Sequence, residues 1–315
     1  MTGGLVSCVV GARQYAMRGT DVREIVRAER MRRSNGRDGT VGTLSVNRET
    51  IPVYSLRATL DGASPSESAS TTGHHIVVTP STGGPIGWLA DRIVRSHMTD
   101  ELEILPLPPV VATVATAWFE GLLIVDGTPV LLLSPRHLDP RAARDRAETE
   151  APCEMLETAP TPPSGHHRPP LIVMFSSPAL PQSGAARYAL SARRIAAVVQ
   201  SLAVTPVPGC PPHVAGVAVW RNHVMPVVDF RSTDERNAAA SGSRYLIARC
   251  GRSLRGGSVA FHVDSELILH QPTRDDRKVE DIDSPPPFVA GTFTVSGERL
   301  ALLDLDTLLL TGLAG

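Results

Sequence analysis

The sequence contains an internal duplication, and this feature limits the possible folds more than any other. Short motifs in the first half recur in the same order in the second half. The matched anchors are Tyr15 and Tyr188, Gly42 and Gly216, Pro52 and Pro226, Trp88 and Phe261, and Gly127 and Gly297. The offset within each pair stays between 170 and 174 residues. A period of this length is too long for a solenoid and indicates two copies of one whole domain.

A chain of 315 residues is long enough for two such domains, each with a core of its own. The segment between the copies, 139–170, is charged and then proline-rich, which is typical of a stiff, extended tether. We therefore predict a first domain over 1–138, a linker over 139–170 and a second domain over 171–315. The two copies are called the first and the second repeat below.

The composition excludes several classes of protein. A net charge of −1 argues against a nucleic-acid binder, and 42% hydrophobic with 20% charged residues argues against disorder. The apolar runs Leu122–Val125 and Val130–Leu133 are far too short to cross a bilayer. The start, Met1–Gly4, has no signal-peptide pattern. We expect a cytoplasmic protein without direct membrane insertion.

Each repeat has the pattern of short strands, so the predicted fold is mainly β. The runs Val217–Trp220 and Val224–Val228 flank a short polar turn, and this pattern predicts a hairpin in which Asn222 takes a left-handed conformation. The polar loops 61–73 and 232–243 divide the strands of each repeat into two groups. We therefore expect two small antiparallel β units per repeat, with closure into barrels removing their edges. A short helix is predicted over Asp304–Leu310.

The motifs of the second repeat resemble one known family. They are YALSARRIAAVV from Tyr188, VTPVPGCPPHVAGVAVWRNHVMPVVDFR from Val204, VAFHVDS from Val259 and LLDLDTLL from Leu302. Together these resemble the CheW family of chemotaxis coupling proteins over Leu171–Leu313. The first repeat, Leu5–Leu138, resembles the same family more faintly. The resemblance implies two tandem CheW-like domains, each a pair of five-stranded SH3-like antiparallel barrels, with the first domain divergent.

The resemblance also implies a function. Members of the family are non-catalytic adaptors that hold a chemoreceptor cytoplasmic tip and the regulatory domain of a CheA-type histidine kinase in one signalling complex. The receptor tip lies between the two barrels, and the kinase docks a homologous barrel. A cytoplasmic protein recruited to membrane-associated receptor arrays is therefore expected. An alternative is an adaptor whose divergent first repeat recruits a localisation or polarity factor or regulates array assembly.

The departures from the family pattern favour the second repeat as the binding copy. The Arg-Gly turn of the family is Arg221-Asn222 here, and Asn is the next best residue for a positive φ. In the first repeat the same positions are Asn47-Arg48, so the arginine has shifted by one position or been lost. The family's Asp is Asp229 in the second repeat but Ser55 in the first.

Six residues are the candidate partner-binding site: Arg221, Trp220, Asn222, Ile195, Val198 and Leu267. Arg221 either binds a partner group through the several N–H donors of its planar guanidinium or stabilises its own hairpin. Trp220 is either an interface anchor or a half-buried core residue. The three aliphatic residues are the positions that the family places along the groove between the barrels, with core packing as the competing interpretation.

Other sequence patterns support weaker hypotheses about function. The arginines between Arg23 and Arg37 alternate with acidic residues and are typical of a solvated face, with an acidic partner as the alternative. The pairs His74-His75 and His166-His167 have no third ligand, and the cysteines are scattered, so no metal or cofactor is expected. A bilobal β hydrolase using Asp126 and Asp264 is a remote alternative, because neither lies in an Asp-Thr/Ser-Gly motif.

Overall fold

The computed structural model describes residues 4–34, 39–61, 73–94, 103–111, 115–139, 171–176, 187–231, 236, 244–250, 257–263, 267–273, 276–279, 288–295 and 297–310. The chain divides into two compact units. The first takes Met1–Pro106 and Val114–Cys153, and the second takes Leu107–Thr113 and Glu154–Gly315. Almost all of the predicted linker lies outside the described residues. In the part of the chain that is described, no helix is both long and apolar enough to span a bilayer.

In its described residues, the first repeat has eleven strands and two short α-helices. The strands are β1 (Leu5–Val10), β2 (Arg13–Arg18), β3 (Glu24–Arg27), β4 (Met31–Arg33), β5 (Thr40–Val46), β6 (Glu49–Ser55), β7 (His75–Thr79), β8 (Ile86–Ala90), β9 (Arg92–Val94), β10 (Phe119–Val125) and β11 (Thr128–Leu133). The helices are α1 (Leu56–Asp61) and α2 (Pro135–Leu138).

These strands form two sheets. The terminal sheet joins both ends of the repeat in the order β10-β11-β2-β1-β9, and the central sheet has the order β3-β7-β8-β6-β5-β4. The predicted division at the loop 61–73 is therefore wrong. β6 and β7 lie on either side of this loop, yet both pair with β8 in the central sheet. The chain instead changes sheets between β2 and β3 and again between β8 and β9.

The second repeat has the same plan. Its strands are β12 (Ile172–Phe175), β13 (Arg187–Ser191), β14 (Ile195–Val199), β15 (Val204–Thr205), β16 (Val214–Trp220), β17 (His223–Val228), β18 (Arg244–Arg249), β19 (Ser258–Val263), β20 (Ile268–His270), β21 (Arg277–Val279), β22 (Val289–Val295) and β23 (Glu298–Leu303). The terminal sheet is β20-β12-β13-β23-β22-β21, and the central sheet is β14-β18-β19-β17-β16-β15. The division predicted at 232–243 is wrong for the same reason, because β17 and β18 both pair with β19.

Chain length shows that the central sheets are rolled. β3 and β4 are opposite edges of a six-stranded sheet, and a flat sheet of this kind is about 24 Å across. The stretch from Arg27 to Met31 reaches only about 14 Å. The two edges must therefore curl toward each other. In the second repeat, β14 and β15 are likewise the opposite edges of the central sheet, and Val199 and Val204 are only five residues apart. The edges of that sheet must therefore also curl toward each other.

The mainly β architecture of two tandem domains, each with a pair of small sheets, agrees with the predicted fold. The strand detail differs in two respects. Three of the four sheets have six strands rather than five. Each sheet also contains one parallel pair, β11 with β2, β6 with β8, β13 with β23 and β17 with β19, so the sheets are not purely antiparallel.

One hairpin design recurs in all four sheets. Each hairpin has a register shift at a glycine, and the tight turn begins five residues later. The glycines are Gly42, Gly121, Gly216 and Gly291. A Cβ on Gly216 would lie 2.2 Å from the backbone oxygen of Thr205, and one on Gly121 would lie 2.7 Å from that of Leu105. Gly42, Gly121 and Gly216 therefore let a neighbouring backbone segment cross close over the hairpin, whereas Gly291 faces only the side chain of Phe293.

Aromatic rings join the two sheets of the second repeat. Phe261 of the central sheet contacts Phe175 of the terminal sheet in a tilted arrangement, with ring centres 6.1 Å apart. Phe175 contacts Tyr188, and Tyr188 contacts Phe230, which follows β17. Rings at these separations attract each other beyond their area burial. The two sheets of this repeat thus share one aromatic core.

The predicted C-terminal helix is present as α3 (Leu305–Leu310). Asp304 precedes it and accepts hydrogen bonds from the backbone N–H groups of Asp306 and Thr307. This is N-capping, which supplies partners for helix donors that otherwise have none. Within the second unit, the turn Pro109–Val111 packs against α3, and Val110 and Val111 are fully buried.

Candidate partner-binding surface

Arg221 and Asn222 form the two-residue turn between β16 and β17. Their φ angles are 50° and 63°, and Trp220 pairs directly with His223 across the hairpin. Two consecutive left-handed residues define the type I′ turn, whose twist matches that of the strands. Asn accepts this conformation readily, but for Arg it costs on the order of 1–2 kcal/mol. The predicted left-handed conformation of Asn222 is present, and Arg221 adopts it as well.

The side chain of Arg221 lies over the indole of Trp220. Its guanidinium carbon is 4.4 Å from the ring centre, which is a cation–π contact. Trp220 is half-buried against the core cluster of the central sheet, and Arg221 is exposed. Stacking uses the face of the guanidinium, so its N–H donors, which lie in the plane, are not consumed by the contact. The pair thus combines an apolar base with an oriented cationic group.

The corresponding turn in the first repeat differs in two ways. Asn47 and Arg48 have φ angles of 47° and 69°, so the turn type is the same but the two residues stand in the opposite order. The residue in the place of Trp220 is Val46, which packs against the core of its own sheet. The arginine is therefore shifted by one position, and no aromatic ring precedes this turn.

The predicted aliphatic positions lie on edge strands. Val198 on β14 is 47% exposed, and Ile195 on the same strand is half-buried. Leu267, just before β20, is also half-buried. The more exposed leucine is Leu269, at 61%, which the sequence reasoning missed. In the structure Ile268 packs inward against the terminal-sheet core, so its neighbour Leu269 faces outward.

The structure distributes the six predicted residues over three elements rather than one. Trp220, Arg221 and Asn222 occupy the β16–β17 turn. Ile195 and Val198 lie on β14, which is separated from β17 by β19 and β18 in the central sheet. Leu267 belongs to the terminal sheet. The turn and β14 are therefore not joined by strand pairing, although Trp220 and residues of β14 pack against the same core cluster of the central sheet.

Asp229 is a buried structural group rather than a surface contact. It is 4% exposed, and it accepts hydrogen bonds from the backbone and the guanidinium of Arg231, the shortest of 2.8 Å. Burial acts to raise the pKa of Asp229, but the hydrogen bonds from Arg231 outweigh it and lower the pKa below its usual value. Arg236 also donates to the backbone oxygen of Asp229. These bonds fix the chain where it leaves β17.

Ser55 occupies the equivalent place in the first repeat. Its hydroxyl accepts a hydrogen bond from the N–H of Ala58 at 3.2 Å and so caps α1. A neutral cap thus stands where the second repeat has a charged cluster.

Of the two aspartates of the remote hydrolase alternative, the structure describes only Asp126. Asp126 is an exposed residue of the turn between β10 and β11, with a φ of 50°, and Asp264 lies outside the described residues. Burial raises the pKa of the thiols of Cys8, Cys210 and Cys250 to about 12, as in unreactive buried thiols. Within the described ranges, no three His, Cys, Asp or Glu side chains are grouped to hold a metal ion.

Comparison with known proteins bears on these features. The CheW-like domain family matches the chain twice, over residues 4–141 and 181–311. The chain belongs to the CheW-like domain family. Both matches coincide with the duplication, so the chain carries two tandem CheW-like domains. Members of this family are non-catalytic scaffold proteins.

Solved structures also match part of the chain. One is the scaffolding protein TtCheW from Thermoanaerobacter tengcongensis, with 22% sequence identity over 44% of this chain and 88% of that chain, and a TM-score of 0.38. Among curated proteins, none matches this chain.

Proposed function

We propose that this protein is a non-catalytic adaptor that couples chemoreceptors to a CheA-type histidine kinase, and that its second repeat carries the binding. Membership of the CheW-like domain family supports the adaptor role. The observation that carries the assignment to the second repeat is the pair formed by the exposed Arg221 and the half-buried Trp220. Trp and Arg are the residues most enriched among those that dominate binding energy at interfaces.

The proposal gives each predicted residue a role. Arg221 donates to carboxylate or carbonyl groups of the kinase regulatory domain, and Trp220 supplies the apolar base on which it rests. Asn222 keeps the turn in its left-handed form. Ile195, Val198 and Leu267 bury apolar surface of the chemoreceptor cytoplasmic tip. A few such side chains, at about 25 cal/mol per Å², suffice for micromolar binding. The adaptor would act in the cytoplasm, recruited to membrane-associated receptor arrays.

The test is titration of the full chain with a purified CheA-type regulatory domain by calorimetry. Full-length protein is needed because Leu107–Thr113 belongs to the second unit. We expect micromolar binding that Arg221→Glu weakens at least about tenfold, the loss of a charged interface contact. Arg48→Glu, the matched change in the first-repeat turn, should leave binding unchanged. Equal affinity for wild type and Arg221→Glu would contradict the proposal, provided that circular dichroism shows both folded.

A second candidate function is that the first repeat recruits a localisation or polarity factor or regulates array assembly. The observation that favours it is the loss of the Trp–Arg pair in the first repeat, where Val46 and Asn47 stand instead. Fluorescently tagged full chains would be imaged in cells. Arg221→Glu would abolish array localisation if the second repeat alone directs it. Retained localisation in that variant would favour recruitment through the first repeat.

A further inference from the structure

The two central sheets expose an aliphatic residue at the same structural position. In the first repeat, Ile25 of β3 pairs with Val77, which pairs with Trp88. In the second repeat, Val198 of β14 pairs with Leu246, which pairs with Phe261, the counterpart of Trp88. Ile25 is 42% exposed and Val198 is 47% exposed. Single exposed aliphatic residues are ordinary, but the same exposed position on both edge strands is a shared feature of the two repeats.

The charges beside this position differ between the repeats. Two residues after Ile25 is the exposed Arg27, whereas two residues after Val198 is the exposed, uncharged Gln200. Arg23 precedes Ile25 by two residues and is also exposed, with its guanidinium 3.0 Å from the carboxylate of Glu49. Side chains two apart on a strand share a face. The outer face of β3 is thus an aliphatic residue between two arginines.

The segment after β3 adds positive charge to this edge. Arg30 and Arg32 are exposed. Of the two acidic residues between Arg23 and Arg32, Glu24 in β3 is half-buried, and Glu29 accepts a hydrogen bond from the backbone N–H of Gly73 at 3.5 Å. The arginines therefore exceed the carboxylates, and one carboxylate is already engaged with the chain. The strand of the second repeat, IAAVV, contains no charged residue.

We propose that the β3 edge of the first repeat, defined by Ile25, Arg23, Arg27 and Arg30, is a second docking surface, and that it binds a protein segment in which apolar side chains are flanked by Asp or Glu. Ile25 buries the apolar side chain, and the arginines pair with the flanking carboxylates. The second-repeat edge selects an uncharged apolar segment instead. The two repeats therefore accept different partners, which suits an adaptor. This inference is independent of kinase binding through Arg221.

The test uses the full chain and a fluorescein-labelled peptide in which leucines are flanked by glutamates. Fluorescence anisotropy is measured beside a matched peptide with glutamines in place of the glutamates. We expect the glutamate peptide to bind more tightly, with affinity that falls as salt is raised, because exposed ion pairs are screened. Arg27→Glu should weaken binding about fivefold or more, and Ile25→Ser should also weaken it. Arg92→Glu, the same charge change on β9, should have little effect.

A further variant is expected to gain affinity for the glutamate peptide, whereas the variants above are expected to lose it. Gln200→Arg places the arginine beside Val198, and we expect it to increase the affinity for the glutamate peptide. The inference is overturned if the two peptides bind equally, if Arg27→Glu and Arg92→Glu have equal effects, or if the glutamate peptide does not bind at about 1 mM. Any of these results would identify the arginines as a solvated face.

Discussion

The guanidinium of Arg221 rests on the indole of Trp220 at 4.4 Å, at a turn where Arg221 itself has a φ of 50°. The left-handed backbone conformation costs Arg221 on the order of 1–2 kcal/mol of folding free energy. The cation–π contact stabilises the turn by about 0.5–1 kcal/mol at an exposed site. The arginine is thus close to neutral for folding. A residue that brings little stability to its own turn is one whose side chain is available to serve a partner.

This balance predicts the effect of Arg221→Gly. Glycine adopts a positive φ without steric cost, so the strain is relieved while the cation–π contact is lost. We expect the free energy of unfolding to change by less than about 1 kcal/mol and kinase binding to weaken about tenfold. Urea denaturation and calorimetry measure the two quantities. A loss of stability above about 2 kcal/mol with binding intact would show that Arg221 only braces its hairpin.

Gly216 should tolerate no side chain. Its φ is +145°, and a Cβ would meet the backbone of Thr205 and Pro206 at 2.2 and 2.7 Å. Backbone atoms cannot move aside as a flexible side chain can. We expect Gly216→Ala to destabilise the second repeat by about 3 kcal/mol or more.

The matched control is Gly291→Ala at the equivalent hairpin position of the terminal sheet. Its nearest neighbour is a side-chain atom of Phe293 at 3.5 Å, which is ordinary contact, so the cost should stay below about 1 kcal/mol. Thermal denaturation of both variants measures the difference. Equal destabilisation would contradict the role assigned to Gly216 in letting β15 cross its hairpin.

The fold and the hairpin turn could be predicted from the sequence because their signals are local. Repeated anchors such as Tyr15 and Tyr188 showed the duplication, and Arg221-Asn222 between two β-branched runs showed the turn. The assignment of strands to sheets could not be obtained in this way. The polar loop 62–72 separates β6 from β7 in sequence, but both pair with β8, and pairing of this kind depends on non-local contacts.

The candidate site was predicted only in part for a similar reason. Which of Leu267 and Leu269 is exposed depends on which face of β20 meets the core, and three residues of strand give too short an alternation to decide it. Asp229 is buried beside Arg231 and Arg236, which are two and seven residues further along the chain. Neither strand alternation nor helix periodicity predicts such a contact in an irregular segment. The family pattern located Asp229 correctly but did not show that it is structural.

Asp229 makes stability depend on pH. Its pKa is lowered in the folded state, so its contribution is fully present above the unfolded pKa of about 4 and is lost as the pH falls through the lower folded value. We expect Asp229→Asn to remove the part of the stability loss at low pH that comes from protonation of Asp229. Asp229→Ala should cost about 3 kcal/mol at pH 7, because it removes the buried carboxylate that accepts hydrogen bonds from the backbone and the guanidinium of Arg231. Urea denaturation from pH 3 to pH 7 measures both effects. An Asp229→Asn variant with the acid profile of the wild type would contradict them.

Val198 should contribute to receptor binding without contributing much to folding. Because it is 47% exposed on an edge strand, Val198→Asp should change the free energy of unfolding by less than about 1 kcal/mol. Binding of a chemoreceptor cytoplasmic-tip fragment should fall at least about fivefold, since a charge replaces buried apolar surface. Ile25→Asp in the first repeat is the matched control and should leave this binding unchanged. Equal losses for the two variants would exclude a specific role for β14.

The most direct test of coupling is sedimentation of the CheA-type kinase with vesicles that contain chemoreceptors, in the presence and absence of this protein. We predict that the kinase sediments only when the full chain is added, that its amount saturates as the chain is titrated, and that Arg221→Glu abolishes the effect. Sedimentation of the kinase that does not depend on the chain, or none with the wild-type chain present, would contradict the proposed function.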